Sequence, residues 1–511
     1  MKQQAVVAAG HELTAEAAAL VLAEGGNAYD AAIAAFFAAC VAEPVLASLA
    51  GGGFLIAQGY SDNAPSLYDF FVQTPGRVKS DQLDFFPIHA DFGSTRQEFH
   101  IGRGSVAVPG CVAGMFHVHR ELASMPMAEL VAPAIEFARQ GVKLNHFQAY
   151  IHTIIAPILL HTPATISLYG QANGDLKTAG DHIYQPQLAD TLDVLAHEGE
   201  RLFYEGEIAA LFAQLGEAGG LLQREDLQQY RSIRRQPLYV RLKNASVYIN
   251  PPPSSGGVLT GFGLKLLERL MQPDWHPDSI GYLQQLAKVL TQTELQRESF
   301  HVQNKALALL CEDDVVNRSF NAWEKHPPSR RGTTHISIMD HQGNRAGLTV
   351  SNGEGCGYLL EDTGIMPNNM LGEEDLNPAG FFNWQPSQRM TSMMSPSLVN
   401  FADGRKLVTG SGGSNRIRTA LLQVMSQLIF FHSSLEQAVC SPRLHVEKNF
   451  LYLENFSNEG IHQALQQSYP EHKYWEAPNL YFGGAHSVMG SARGVEGAGD
   501  PRRGGVSRIV G

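Results

Sequence analysis

Two adjacent residues, Gly332 and Thr333, are of types that could together support cleavage of amide bonds. A threonine hydroxyl is a poor nucleophile at neutral pH and needs a neighbouring base. If the chain breaks before Thr333, the new α-amine, with a pKa normally about 7.7 to 8.0, supplies that base. Gly332 suits such a cut because a residue without Cβ permits strained backbone and a close approach of the hydroxyl. Simple linker flexibility at Gly332 is the alternative interpretation.

The surrounding pattern predicts the elements that position this pair. Residues 299–331 are polar and end in prolines and arginines, which predicts an exposed, flexible linker. From Thr333 the alternation of residue types predicts a strand, with Thr333 and Thr334 starting its two faces. Asp340 to Asn344 predicts a hairpin turn, and the returning strand ends at Ser351. An ordinary linker and hairpin would give the same pattern.

Length and composition set the class of protein. The 511 residues are 44% hydrophobic, enough for a large core or two closely packed halves. A net charge of -12, from 38 basic and 50 acidic residues without long runs of one sign, indicates neither a nucleic-acid surface nor a polybasic membrane anchor. A small-molecule or short-peptide substrate fits better.

The most apolar stretch, Ala31 to Ala42, is shorter than the roughly 20 residues of a membrane span and predicts a buried core helix. Gly10, His11 and Glu12 interrupt any apolar region of a secretory signal, so the sequence as given predicts a cytoplasmic protein.

Other possible ligand sites have little support. The five cysteines are far apart, which predicts reduced and mostly buried thiols. The histidines lack a complete ligand set, so we expect no metal and no cofactor. Gly51-Gly52-Gly53 predicts close backbone approach before a buried strand; a phosphate loop is the alternative, but no Gly-Lys-Ser/Thr accompanies it.

With Gly332-Thr333-Thr334-His335 and the following turn in view, the chain resembles the gamma-glutamyltranspeptidase family, whose Thr-Thr-His strand starts the small subunit. The resemblance follows the family's order over nearly the full length, through Glu24-Gly25-Gly26-Asn27-Ala28-Tyr29-Asp30-Ala31-Ala32, Gly51-Gly52-Gly53-Phe54, Val108-Pro109-Gly110, Pro251 to Gly257, Gly364-Ile365, Asn368-Asn369, Met394-Ser395-Pro396, Val408-Thr409-Gly410-Ser411, Ser441-Pro442-Arg443-Leu444-His445 and Gly499-Asp500-Pro501-Arg502.

The resemblance implies an α+β fold, the four-layer αββα sandwich of N-terminal nucleophile hydrolases. A large-subunit segment, residues 1–332, and a small-subunit segment, residues 333–511, would be intertwined in one fold. It further implies an N-to-O acyl shift by Thr333 on the Gly332 carbonyl and hydrolysis of the ester, which leaves a heterodimer of the two cleavage fragments.

Further catalytic residues follow from the same resemblance. Ser351 matches a hydroxyl residue that hydrogen-bonds the nucleophilic threonine. Gly413 matches the first glycine of the family's oxyanion pair, and Ser414 replaces the second. Because the donors there are backbone N–H groups, we expect the replacement to be tolerated if the φ of Ser414 stays negative.

The segments implied to bind substrate depart from the family's pattern. Phe71 follows Asp69-Phe70 where the family has the arginine that grips the donor α-carboxylate. Glu373 can replace an acidic residue of the amino-group site. Ser392 and Met393 align with a Ser-Ser pair. Phe71 and Met393 together predict a pocket for a less charged or more hydrophobic acyl group.

Three hypotheses remain open at this point. The leading one is a γ-glutamyl hydrolase and transferase that acts on amides such as glutathione. The second is an amidase with a non-glutamyl donor, similar to the family's cephalosporin acylase members. The third is an uncut, noncatalytic binding protein.

Overall fold

The computed structural model describes residues 4–79, 82–91, 96–301, 310–311 and 332–511. Its helices are α1 (Glu12–Ala23), α2 (Ala28–Ala42), α3 (Cys111–Leu122), α4 (Met127–Gln140), α5 (His146–Ile154), α6 (Ala156–Leu159), α7 (Pro163–Tyr169), α8 (Pro186–Glu198), α9 (Arg201–Tyr204), α10 (Glu207–Glu217), α11 (Arg224–Gln229), α12 (Ser255–Leu270), α13 (Ile280–His301), α14 (Arg416–Phe430), α15 (Leu435–Cys440) and α16 (Glu459–Ser468). Among the described helices, none combines the length and the hydrophobicity that a membrane span needs.

The strands are β1 (Ala5–Ala9), β2 (Gly52–Gln58), β3 (Ser66–Phe70), β4 (Phe86–Asp91), β5 (Arg96–Ile101), β6 (Val142–Lys143), β7 (His182–Ile183), β8 (Ile233–Arg235), β9 (Leu238–Arg241), β10 (Ala245–Ile249), β11 (Thr334–Met339), β12 (Arg345–Ser351), β13 (Ser397–Phe401), β14 (Lys406–Gly412), β15 (Leu444–Glu447), β16 (Phe450–Glu454), β17 (His472–Trp475), β18 (Gly484–Ser491), β19 (Gly494–Ala498) and β20 (Val506–Val510).

Two large sheets hold the fold together. One has seven strands in the order β20-β1-β11-β12-β2-β3-β8, and the other has six in the order β19-β18-β14-β13-β10-β9. The hairpin of β11 and β12 lies inside the first sheet, where β11 pairs with β1 and β12 pairs with β2. Strands from before and after residue 332 therefore share this sheet.

The hydrophobic core forms on both sides of that sheet. Ile336 and Ile338 pack with helices α1, α2, α4 and α8 in one cluster. On the opposite face Met339 belongs to a second cluster, which contains Val408 of the other sheet and continues into α12, α13 and α14. The layers are thus helices, sheet, sheet and helices, which confirms the predicted αββα sandwich.

Several local predictions are confirmed. The apolar stretch lies in α2, all of whose residues are buried, and Asn27 caps its first turn. A Cβ added to Gly51 would lie 2.4 Å from the Ser351 carbonyl oxygen, so close backbone approach explains this glycine. Four of the five cysteines are buried, and Cys440 is exposed.

The predicted linker is only partly described. Residues 302–309 and 312–331 lie outside the described residues, and 299–301 belong to α13. The exposed linker was therefore predicted to begin too early, because residues 299–301 continue a helix and Leu310 and Cys311 are buried.

Candidate active site

The strand that begins after Thr333 is placed by the hairpin. Thr334 pairs with Val350, so the preceding Thr333 and the following Ser351 face each other at the end of the ladder. Thr333 is only 4% exposed and Ser351 is 6% exposed in the uncut chain. The two hydroxyl residues predicted to be catalytic are therefore neighbours in a desolvated place.

The backbone of Gly332, the residue before Thr333, is held at both of its polar groups. Ser351 Oγ donates a hydrogen bond to the carbonyl oxygen of Gly332 at 2.5 Å. The N–H of Gly332 donates to Oε1 of Glu354 at 2.8 Å. Ser351 was expected to hydrogen-bond Thr333 itself; in the uncut chain its hydroxyl contacts the carbonyl to which Thr333 is joined. Together the two contacts fix the orientation of the peptide bond between Gly332 and Thr333.

The carbonyl of Thr333 faces a glycine and an arginine. A Cβ added to Gly412 would lie 2.1 Å from this oxygen, so only glycine fits there. Arg503 Nη1 donates to the same oxygen at 3.4 Å. This packing brings the turn that follows β14 directly against the nucleophilic residue.

That turn contains the predicted oxyanion donors. The φ of Gly413 is 121° and that of Ser414 is 53°. The serine was expected to be tolerated here if its φ stayed negative. That condition is not met, and the serine adopts the left-handed conformation that its glycine counterpart would adopt freely. Among the described residues, neither the N–H of Gly413 nor that of Ser414 donates to a protein acceptor. Both donors are therefore available to an oxyanion.

Glu373 lies beside Gly353, in the turn that follows β12. A Cβ added to Gly353 would lie 2.3 Å from its Oε1 and 2.1 Å from Oδ1 of Asn369. The same Asn369 oxygen accepts from the N–H of Glu354 at 2.9 Å. The sequence predicted that Glu373 binds substrate. In the structure Glu373 lies against Gly353, the neighbour of Glu354, whose carboxylate holds Gly332.

Phe71 is close to the site through its backbone. Gly52 pairs with Ser351, and a Cβ added to Gly52 would lie 3.1 Å from the carbonyl carbon of Phe71. The ring, however, is 1% exposed and stacks on Phe54 with centroids 5.5 Å apart. The side chain is thus a core residue, and no guanidinium occupies its place.

Arg389, an arginine in the segment just before Ser392, is engaged in contacts within the protein. Its Nε lies 3.5 Å from Oδ1 of the fully buried Asp69, and its Nη1 donates to the Phe71 carbonyl and to the Tyr230 hydroxyl. Arg235 Nε pairs with the other Asp69 oxygen at 2.7 Å. These contacts make Arg389 a structural cation.

Ser392 and Met393 pack against the start of α12. The Ser392 hydroxyl accepts from the N–H of Met394 at 3.1 Å, and its carbonyl accepts from the N–H of Ser255 at 2.9 Å. Met393 is 8% exposed, with its sulfur 3.1 Å from the Ser255 hydroxyl. In the uncut chain both side chains are therefore occupied by contacts within the protein.

Buried titratable groups surround strand β11. Thr334 Oγ1 donates to Oε2 of Glu43 at 2.8 Å, and burial raises the pKa of Glu43 against the opposing effect of this bond. Burial lowers the pKa of Arg503 to about 10. Burial, helped by the positive charge of Arg503, lowers the pKa of His486 to about 4. The strand therefore lies among groups whose charged forms are disfavoured by burial.

Two residues of this site were not found from the sequence: Glu354 and Arg503. Glu354 follows Ser351 by three residues in a glycine-rich turn, and Arg503 follows the Gly499 to Arg502 motif, so both adjoin recognised segments. For metals the described ranges offer no group of three His, Cys, Asp or Glu side chains arranged as ligands.

The site thus consists of a buried threonine just before strand β11, packed against a glycine-rich turn. The gamma-glutamyltranspeptidase family model matches residues 14–510. The chain belongs to this family. It is an enzyme family of hydrolases and transferases with the N-terminal nucleophile fold.

Among relatives of this gamma-glutamyltranspeptidase family member, the glutathione hydrolase proenzyme of Pseudomonas aeruginosa is 29% identical over 99% of this chain and 94% of its own length. The acylase ACY 1 proenzyme of Pseudomonas sp. strain V22 is 26% identical over 90% of this chain and 86% of its own. A crystal structure of cephalosporin acylase from Bacillus halodurans shares the fold, with a TM-score of 0.84 at 20% identity, over 99% of this chain and 96% of that one.

Proposed function

We propose that this chain cuts itself between Gly332 and Thr333 and that the released Thr333 hydrolyses amides or transfers their acyl groups. The observation that carries the proposal is the double hold on Gly332, by Ser351 at its carbonyl and by Glu354 at its N–H. Such a hold serves little purpose in an ordinary linker, but it orients a scissile carbonyl for attack. The proenzyme names of the relatives support the same conclusion.

Self-cleavage begins when the Thr333 hydroxyl attacks the Gly332 carbonyl carbon. The hydroxyl of Ser351 already donates to the carbonyl oxygen and stabilises the negative charge that develops there. The C–N bond then breaks, the nitrogen of Thr333 takes the proton, and Gly332 is joined to Thr333 through an ester. Water hydrolyses this ester, which leaves the Gly332 carboxylate, the Thr333 hydroxyl and a free α-amine.

In the cut enzyme the α-amine of Thr333 removes the proton from its own hydroxyl as this attacks the donor amide. The N–H groups of Gly413 and Ser414 bind the oxyanion, and the leaving amine takes the proton. Water or an acceptor amine then releases the acyl group. Arg503, which contacts the Thr333 carbonyl, favours the neutral form of the amine because a nearby cation lowers an amine pKa.

For the donor we propose γ-glutamyl amides such as glutathione, supported by the glutathione hydrolase relatives at 28% and 29% identity. A second candidate is a less charged acyl donor. It is favoured by the buried Phe71 in place of an arginine, by the engagement of Arg389 with Asp69, and by the acylase relative. Glu373 is the residue we assign to a donor amino group in the first case.

Intact mass and N-terminal sequencing of wild type and Thr333→Ala test the cleavage, and a set of anilides tests the donor. We expect wild type to give a fragment that starts at Thr333 and Thr333→Ala to stay whole. Faster turnover of γ-glutamyl than of glutaryl and simple aliphatic anilides supports the first donor class, and the reverse order supports the second. A wild type that stays uncut would indicate the noncatalytic alternative.

A further inference from the structure

Ser414 holds a conformation that its side chain disfavours. Its φ of 53° lies in the left-handed region, where a Cβ approaches the following carbonyl oxygen. Glycine adopts this region without that contact. A serine in the proposed oxyanion turn therefore needs an additional interaction to stay there.

Asp375 supplies such an interaction. The Ser414 hydroxyl donates to Oδ2 of Asp375 at 3.2 Å. The other carboxylate oxygen, Oδ1, lies 3.6 Å from Nη1 of Arg297 on α13. The two oxygens of the Asp375 carboxylate thus connect the turn at Ser414 to α13, a helix that precedes residue 332 in the sequence.

The helix end of this connection is itself fixed. Arg297 Nη2 donates to Oε1 of Glu294 at 2.7 Å, and the other oxygen of Glu294 accepts from Arg418 on α14. The side chains of Glu294, Arg297 and Arg418 are all less than 10% exposed. A buried ion-pair network of this kind has a well-defined geometry. Asp375 is therefore a rigid support for Ser414.

We propose that Asp375 is a positioning residue for catalysis, which keeps Ser414 in the left-handed conformation so that its N–H, with that of Gly413, binds the oxyanion. The role rests on the proposed function. It reconciles the serine with a position where the resemblance implies glycine: the hydroxyl that the serine adds is used to hold the backbone that the serine would otherwise disfavour.

Electrostatics alone predicts the opposite effect of Asp375. A carboxylate close to the turn repels a developing oxyanion, so removing it should raise turnover if it only contributed charge. Backbone bonds from Arg416 to Gly413 and from Ile417 to Ser414 also fix the turn, at 3.0 and 2.9 Å. A loss of turnover without Asp375 that disappears in a glycine background therefore identifies positioning.

The test is a double-mutant cycle of wild type, Asp375→Ala, Ser414→Gly and the double variant, assayed with the anilide that wild type turns over fastest. We expect Asp375→Ala to lower kcat about tenfold with KM within about twofold, and Ser414→Gly to retain a measurable kcat that serves as the second background. In the Ser414→Gly background, Asp375→Ala should change kcat by less than about twofold. Asp403→Ala, which removes an exposed carboxylate paired with Arg405, is the matched control and should leave kcat unchanged.

An equal loss in both backgrounds, an unchanged kcat in Asp375→Ala, or an inactive Ser414→Gly would each overturn the positioning role. Melting temperatures are measured for every variant, and if Asp375→Ala does not fold, Asp375→Leu, which also lacks an acceptor for the Ser414 hydroxyl, replaces it under the same criteria. A wild type that stays uncut and turns over no anilide refutes the proposed function instead, which separates the two failures.

Discussion

The hydroxyl of Ser351 lies 2.5 Å from the carbonyl oxygen of Gly332, across the end of the β11–β12 ladder from Thr333. The contact follows from the strand register. Thr334 pairs with Val350, so Ser351, the last residue of β12, lies opposite Thr333 and reaches the carbonyl that joins Gly332 to it. A sheet ladder thereby holds the carbonyl that the proposed self-cleavage would attack.

Thr333→Ala should accumulate as a single chain of 55.7 kDa, because the alanine has no hydroxyl to attack Gly332. Thr333→Ser should still be cut, since it keeps the hydroxyl. Denaturing electrophoresis and intact mass distinguish these outcomes. Cleavage of Thr333→Ala at the same bond would show that another nucleophile or a contaminating protease acts there.

Ser351→Ala should slow self-cleavage by about 10²-fold, the lower end of the effect of losing one oxyanion donor. Ser351→Thr keeps the hydroxyl and serves as the conservative control. The measurement is the fraction of cut chain against time after synthesis. An unaltered rate in Ser351→Ala would mean that the contact with Gly332 does not contribute to the reaction.

Glu354→Ala should slow cleavage about tenfold, the equivalent of one hydrogen bond of about 1.4 kcal/mol. Glu354→Gln keeps an acceptor oxygen and should lose less. Because Gly332 is no longer joined to Thr333 once the bond is cut, turnover per cut molecule should be affected less than the cleavage rate. Equal losses in both rates would instead place Glu354 in the donor site.

Phe71→Ala should lower the free energy of unfolding by about 3–5 kcal/mol, as expected for loss of a buried ring. Ile509→Ala, at a residue 54% exposed, is the control and should stay within about 0.5 kcal/mol. Thermal unfolding of the uncut Thr333→Ala background measures both. A small effect at Phe71 would show that its ring faces a cavity and is available to substrate.

Stability should fall as the pH is lowered from about 6.5 to about 4. Burial lowers the pKa of His152 to about 4, and His445 and His486 have the same value, whereas unfolded histidine titrates near 6.5. Between about pH 4 and about pH 6.5 the unfolded chain binds more protons than the folded chain. Each histidine therefore lowers the free energy of unfolding by up to about 1.4 kcal/mol per pH unit on acidification in this range, and has no such effect above about pH 6.5.

A substitution checks this pH window. His152→Phe should remove about one proton from the pH dependence of unfolding, because a phenyl ring does not titrate. His197→Phe, at a side chain 67% exposed, should leave the dependence unchanged. Unfolding curves at several pH values between 4 and 7 measure the slopes. Equal slopes in His152→Phe and wild type would contradict the assignment.

Strand alternation predicted both faces of β11, and the turn residues Asp340 to Asn344 predicted the hairpin. The apolar stretch Ala31 to Ala42 predicted the buried helix α2. The left-handed φ of Ser414 was not predicted from the sequence, and the Asp375 carboxylate that its hydroxyl contacts is 39 residues away in sequence. The burial of Phe71 depends on Phe54 in a neighbouring strand. Glu354 and Arg503 act through contacts with the Gly332 and Thr333 backbone, which residue types alone do not indicate.

The place of β11 between β1 and β12 has a consequence for the renatured enzyme. Once the bond before Thr333 is cut, β1 and β11 belong to different polypeptides, yet neither sheet nor core is complete without both. Folding of the intact precursor is a first-order event, whereas recovery of denatured, cut enzyme requires two molecules to meet. Its yield should therefore rise with protein concentration, while that of uncut Thr333→Ala should not.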